Sequence, residues 1–304
     1  MCYIKAMILD SIQKLINGVK LDFTELREVF EEIFSGCADE IQTTSFLTAL
    51  QNLDFDENVI QASILSSKAT IKPPHISLNP QDSIQNIILD NYNSQIFPVE
   101  IAMDLICASN GLSISRYAFA DSFTNSQFEF LKKLGINFSK NIDYDSVEYE
   151  KLNFYYFYLS DENPYCKYAE KLRRKLPFCG VLDITSKMLN PLKSDNLFLG
   201  INDINKVDLW AKILLELGYS NSLIVSCENN LPFICPNGVS KVAEAWKNKI
   251  FSYTITPDLL GMEEFSNDEI MADLNVSLEN FKDILNGKND TVDELVDTMQ
   301  KLMK

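Results

Sequence analysis

Glycine is scarce in this chain, with ten residues in 304, under half of the roughly 7% usual in proteins. Glycine lets backbone amides close on a phosphate or nucleotide with no Cβ in the way, so few such cradles can be built. Histidine is scarcer still: His75 stands alone, beside Pro73 and Pro74, where it reads as linker structure. Positive charge is short as well. The 27 Lys+Arg against 43 Asp+Glu leave a net charge of -16, which argues against a surface that tracks a nucleic-acid backbone. Seven cysteines (Cys2, Cys37, Cys107, Cys166, Cys179, Cys227 and Cys235) occur singly, with no Cys-x-x-Cys. That excludes a locally written structural zinc site and predicts reduced thiols in a cytoplasmic protein. No apolar run reaches the roughly 18 residues of a membrane span, and the opening segment meets Asp10, Gln13 and Lys14 too early for a signal peptide.

Hydrophobic residues make up 46% of the chain and aromatics 11%, ample for a buried core. The first 68 residues read as four helices. Ile4, Met7, Ile8, Ile12, Leu15 and Ile16 keep helical spacing up to a stop at Asn17-Gly18. Thr24 is the expected N-cap of the second helix, in an incomplete capping box with Arg27 three residues on. Leu26, Val29, Phe30 and Ile33 form its apolar stripe, and Gly36 ends it. The third covers about 39–52, with Ile41, Phe46, Leu47 and Leu50 expected inside, and the fourth begins near Asp56. After a linker at 72–80, short apolar strands alternate with helices: strands at 84–89, 112–115, 152–159, 197–201, 223–227, 240–245 and 250–256, helices at 98–109, 125–134, 165–175 and 207–217. This alternation implies an α/β sheet covered by helices. The predicted fold is α/β, with a small all-helical domain over 1–70 and a larger α/β domain over 71–304 around a mainly parallel sheet. A later segment returning to the helical unit is compatible with the pattern.

Several stretches carry a resemblance. They are Leu15-Ile16-Asn17-Gly18-Val19-Lys20-Leu21 with Glu25, Ile33-Phe34-Ser35-Gly36, and Phe46-Leu47-Thr48-Ala49-Leu50 with Gln42. Further on come Arg173-Arg174-Lys175-Leu176, Leu189-Asn190-Pro191-Leu192, Leu199-Gly200-Ile201, Thr256-Pro257-Asp258-Leu259-Leu260-Gly261 and Ile284-Leu285-Asn286-Gly287. In order and spacing they resemble the anthranilate phosphoribosyltransferase family, which shares its architecture with the pyrimidine nucleoside phosphorylases. The resemblance implies that fold, with a carboxyl end shortened after Gly287, and a homodimer formed through the N-terminal helices.

The chemistry departs from the family. Its Gly-Thr-Gly-Gly-Asp loop, which grips pyrophosphate, is matched here by Ile88-Leu89-Asp90-Asn91-Tyr92, without glycine. Its Asn-x-Ser-Thr is matched by Pro98-Val99-Glu100-Ile101, which puts a carboxylate beside a would-be polyanion. Its Lys-His-Gly-Asn-Arg becomes Arg116-Tyr117-Ala118-Phe119-Ala120, keeping one cation. The magnesium-holding Asp-Glu pair falls near Leu231-Pro232-Phe233, which cannot ligate a hard cation through its side chains. Arg173 matches the arginine that contacts the aromatic acid, although on a helix with Lys171, Arg174 and Lys175 it also reads as a solvated face. Asn190 can serve simply as a turn.

Catalysis in this class depends on positioning and neutralising the diphosphate, and loss of one such donor costs about 3–4 kcal/mol. Several losses together predict a catalytically inactive homologue, retained as a binding or assembly protein with a remodelled cleft. The candidate ligand-contacting residues are Asp90, Asn91, Tyr92, Glu100, Arg116, Tyr117, Arg173 and Asn190, with no catalytic residue and no metal ligand assigned. No cofactor is predicted, Mg²⁺ entering only with residual phosphoribosyl pyrophosphate binding. A small molecule or another protein is the expected partner beside the homodimer, and neither nucleic acid nor membrane is expected. The alternative is a divergent phosphoribosyltransferase-like enzyme acting on an aromatic or amine acceptor.

Overall fold

The computed structural model describes residues 7–53, 56–68, 83–89, 99–118, 131, 153–158, 164–173, 175–176, 180–235 and 238–261. The helix expected at 125–134 lies outside the described residues, apart from buried Leu131. The chain forms two compact units, one of residues 1–73 with 158–191 and the other of 74–157 with 192–304. The segment 158–191 thus belongs with the N-terminal helices rather than with the α/β body.

The helical unit contains α1 (Met7–Ile16), α2 (Phe23–Phe34), α3 (Glu40–Gln51) and α4 (Glu57–Lys68). The α2 cap is Asp22, not Thr24: its carboxylate accepts from the Glu25 amide while Glu25 accepts from the Asp22 amide, a complete capping box. Asp39 and Gln42 repeat this at α3. Leu26, Val29, Phe30 and Ile33 are buried as their spacing predicts, with Phe46, Leu47 and Leu50. Ile41 is the exception at 78% exposed, because the α3 stripe runs through Thr43, Phe46, Leu47 and Leu50 and Ile41 lies off it. Two later helices complete the unit among the described residues. Later numbering follows chain order, so these are α6 (Pro164–Arg173) and α7 (Val181–Lys187). The α7 helix has no counterpart in the sequence-based reading. The Phe34 and Tyr165 rings lie 4.3 Å apart, and Ser63 shares a buried hydrogen bond with Thr185.

The second unit is built on a seven-stranded sheet, ordered β3-β2-β1-β4-β5-β6-β7. Its strands are β1 (Ser83–Ile88), β2 (Ser113–Ala118), β3 (Phe154–Tyr158), β4 (Asn196–Gly200), β5 (Asn221–Cys227), β6 (Ser240–Trp246) and β7 (Lys249–Ile255). Strand β1 pairs parallel with both β2 and β4, and β4 parallel with β5. Every residue of β1 is buried, as a central parallel strand covered on both faces requires. Strands β6 and β7 are antiparallel additions. They join through Lys247-Asn248, both at positive φ (49° and 61°), the geometry of a two-residue hairpin turn usually supplied by Asn-Gly.

Helix α5 (Val99–Ser109) connects β1 to β2, and α8 (Val207–Glu216) connects β4 to β5. They cover opposite faces. Asp104 of α5 reaches Arg116, whose strand neighbours Ile114 and Ile84 register on one face. Asp208 of α8 accepts from Lys241 and Ser252, each at 2.5 Å, which lie on the other face by the β5–β6–β7 register. A short α9 (Pro257–Leu260) follows β7.

The expectation of separate reduced thiols fails for part of the set. Cys227 and Cys235 form a disulfide and Cys37 is also disulfide-bonded, whereas Cys107 is free and buried. Spacing could not reveal the first pair, because it closes only through the fold of the β5–β6 connection. Among the described residues no helix is long and apolar enough to cross a membrane.

Candidate functional site

In a doubly wound sheet, ligands bind at the carboxyl ends of the strands where the chain order reverses. Here that point lies between β1 and β4, since the chain leaves β1 toward β2 on one side and reaches β4 on the other. The edge of the crevice is closed by the Leu89 amide, which donates to the Gly200 carbonyl at 3.0 Å.

The β5–β6 connection folds over this point. A Cβ placed on Gly200 would meet the Pro232 carbonyl oxygen, would lie 2.6 Å from Ile88 Cδ1 and 2.9 Å from Pro232 Cβ. Gly200 therefore serves close approach, but the group that approaches is the protein's own proline. The connection is knitted to itself. The Asn230 amide donates to the Cys227 carbonyl (3.0 Å), with Asn230 at φ 56°, and the Cys227 amide donates to the Leu231 carbonyl (3.2 Å). Glu228 binds Val239 in both directions, amide to carbonyl at 3.0 Å and carboxylate from amide at 3.2 Å. The Cys235 amide donates to Ser240 Oγ at 2.9 Å.

Next to the crevice, α5 and β2 hold a buried polar network. Arg116 Nε donates to Asp104 Oδ2 at 2.6 Å, and Asn86 Nδ2 donates to Asp104 Oδ1 at 2.5 Å. Arg116 and Asp104 are 5% and 1% exposed, so neither reaches solvent. Arg116 Nη2 also donates to the Glu100 carbonyl at 3.4 Å, and Glu100 is itself buried in the first turn of α5. Burial pushes the Asp104 carboxyl above its ordinary value, against the pull of Arg116 and Asn86. Burial also works against the guanidinium charge, but the Asp104 and Glu100 carboxylates outweigh it and hold Arg116 above its ordinary value. One cation is thus faced by two carboxylates of the same chain.

The sequence-predicted residues separate. Glu100 and Arg116 come together in this network. Tyr117, one residue on, is buried, and its hydroxyl accepts from the Leu192 amide at 3.3 Å. Asp90, Asn91 and Tyr92 lie outside the described residues. Arg173 ends α6, and half-buried Asn190 follows α7, both in the helical unit.

Two participants escape the sequence reading, Asp104 and Asn86, while Pro232 enters it only as a residue without a metal donor. A usable signal existed for the first, because Asp104 is a lone carboxylate in the apolar run Ile101-Ala102-Met103-Asp104-Leu105-Ile106, and such a charge needs a buried partner.

Magnesium, which the family resemblance implies, does not fit the donors at the matching stretch. The stretch Leu231-Pro232-Phe233 offers no carboxylate, and its Pro232 carbonyl is turned onto Gly200. Among the described residues no three His, Cys, Asp or Glu side chains are grouped to hold a metal.

A helical unit together with a doubly wound sheet, whose crevice lies at the β1–β4 switch, defines an α/β class to which sequence comparison gives a family. The glycosyl transferase family α/β domain matches residues 95–302, and the helical bundle domain of the same family matches residues 9–57. The chain belongs to this glycosyl transferase family. It is 25% identical over 262 residues to the anthranilate phosphoribosyltransferase of Lacticaseibacillus paracasei, covering 84% of this chain and 75% of the relative. It is 23% identical over 286 residues to that of Ruminiclostridium cellulolyticum, covering 92% and 82%. Among solved structures, the Thermus thermophilus enzyme superposes with a TM-score of 0.71 at 18% identity, over 94% of this chain and 92% of that one. The Saccharomyces cerevisiae enzyme in complex with PRPP and Mg gives 0.72 at 17%, over 96% and 86%.

Proposed function

We propose that this protein is a catalytically silent member of its family, retained for binding or assembly. The observation that carries the reading is Pro232, whose carbonyl and ring lie against Gly200 at the switch point, where a phosphoribosyl donor would need backbone amides and a metal. The Arg116 network supports it. An arginine neutralised by Asp104 and Glu100 is not free to neutralise a diphosphate, and an α5 first turn carrying Glu100 already has its anion. Tyr117, next to Leu192, would line what is left of the crevice. Arg173 and Asn190 remain candidate ligand contacts within the helical unit.

The assembly is a homodimer through α1 and α3. Leu9, Ile16, Val19 and Ile41 are exposed on α1, the turn after it and α3, whereas the apolar residues of the α2 stripe are buried. Sedimentation of an Ile41→Glu variant as a monomer, beside a dimeric parent, is the expected result.

The activity test is incubation with phosphoribosyl pyrophosphate, Mg²⁺ and a panel of aromatic amines that includes anthranilate. Pyrophosphate release at the rate of a protein-free blank is expected. Turnover abolished by Arg173→Ala would instead establish a divergent transferase.

A further inference from the structure

We propose that Cys227 and Cys235 form a redox-dependent clamp that holds the β5–β6 connection in the crevice. This rests on the reading of that crevice as filled. The geometry of the two residues is suited to the task. Cys227 is the last residue of β5, paired in register with Ser240 of β6, and Cys235 is held by its amide to the hydroxyl of the same Ser240. Their Cα atoms are 6.2 Å apart, within the usual span of a disulfide, and both side chains are buried. The bond therefore ties the two legs of the loop whose tip bears Pro232.

Other restraints on the loop are weaker. Asn230 and Leu231 bond only to Cys227 of the same loop, and Glu228 to Val239 on the far leg. None of these bonds reaches β1 or β4, and Pro232 meets Gly200 by packing. Cys107 makes the contrast. It is also buried but free, its thiol pushed up to about 12 by burial and then by the Asp104 charge.

Opening the clamp is a thiol–disulfide exchange. Two equivalents of a monothiol such as glutathione, or one dithiol, supply two electrons and two protons. The Cys227–Cys235 bond breaks, both residues become thiols, and the reductant leaves as its own disulfide. The covalent tie between the two legs of the loop is then gone, and Pro232 can leave Gly200.

Hydrogen–deuterium exchange on the full chain tests this, in a form oxidised with glutathione disulfide and a form reduced with dithiothreitol. Amides of 228–235 are expected to exchange at least tenfold faster after reduction, with α8 unchanged. Because dithiothreitol also reaches Cys37, a Cys227→Ser/Cys235→Ser double variant in oxidising buffer provides the specific arm and should match the reduced parent in 228–235. Equal exchange in oxidised and reduced parent would overturn the clamp, as would peptide maps in which both residues alkylate after oxidation. If the double variant does not fold, the parent's two redox states and the peptide map still decide. The exchange is read without ligand, so a failed clamp leaves the filled crevice to be judged separately by phosphoribosyl pyrophosphate binding.

Discussion

Charge is used in opposite ways by the helical unit and by the carboxyl ends of β1, β2 and β4. In the helical unit Asp22 and Asp39 sit at helix starts, bonding amides that would otherwise lack partners. Glu40 bonds Lys171 and Lys175 at the surface, where water shares the load and each pair adds little. At the sheet end the charges turn inward. Arg116, Asp104 and Glu100 are all buried, and they face one another rather than a ligand. The difference separates what a fold needs from what a site needs: caps and apolar stripes suffice for the helices, whereas a phosphoribosyl site needs unoccupied donors held open at a cost in stability. Here Arg116 is paired within the chain and Pro232 lies against Gly200.

Substitutions can break this comparison, beginning with the sheet end. Arg116→Ala leaves Asp104 buried without its ion pair and should destabilise the chain by about 3–5 kcal/mol in urea unfolding. Replacing both, as Asp104→Leu with Arg116→Met, should recover most of that loss; a single variant costing under about 1 kcal/mol would show that the network is open to water. Gly200→Ala comes next. Its Cβ must displace Pro232, a backbone contact that cannot rotate away, and a loss of about 1–3 kcal/mol is expected, again read by urea. An unchanged midpoint would place the loop away from the crevice.

In the helical unit Asp39→Ala removes one cap and should cost about 1 kcal/mol, with unfolding still a single transition. The smallest effect concerns Glu40, whose carboxyl is held down to about 2 by its hydrogen bonds to Lys171 and Lys175. With the folded pKa below the unfolded value of about 4.3, the interaction stabilises above that value and is lost as pH falls toward 2. NMR titration should find the low midpoint in the parent and a rise toward about 4.3 in Lys171→Ala/Lys175→Ala.

Much of the fold was legible because it rests on local rules. The apolar stripe of α2 and the strands β1, β4 and β5 follow directly from residue spacing, to within a few residues. The misses have local causes too. Thr24 was preferred to Asp22 as a cap although only Asp22 has a glutamate three residues later, and Ile41 was placed inside because it is apolar, although it lies off the stripe. Helix α7 is short and has Ile and Thr at its centre, so its sequence Val-Leu-Asp-Ile-Thr-Ser-Lys gave little helical periodicity.

The site was legible only by subtraction. Missing glycines and carboxylates could be read from the residues, but what replaced them could not. Pro232 meets Gly200 across 32 positions, and Cys227 finds Cys235 around a turn whose shape depends on Asn230 at positive φ. The scarcity of glycine likewise has a structural answer: left-handed turns at Asn153, Lys193, Asn230, Lys247 and Asn248 are made without it, asparagine being among the residues that tolerate this region best. Gly200 is kept because a neighbouring backbone leaves no room for a Cβ.

Isothermal titration calorimetry of phosphoribosyl pyrophosphate into the protein with Mg²⁺ present is the most direct test of the central claim. A filled crevice with an internally neutralised arginine predicts no heat beyond dilution up to millimolar ligand. Micromolar binding that disappears when magnesium is chelated would contradict it.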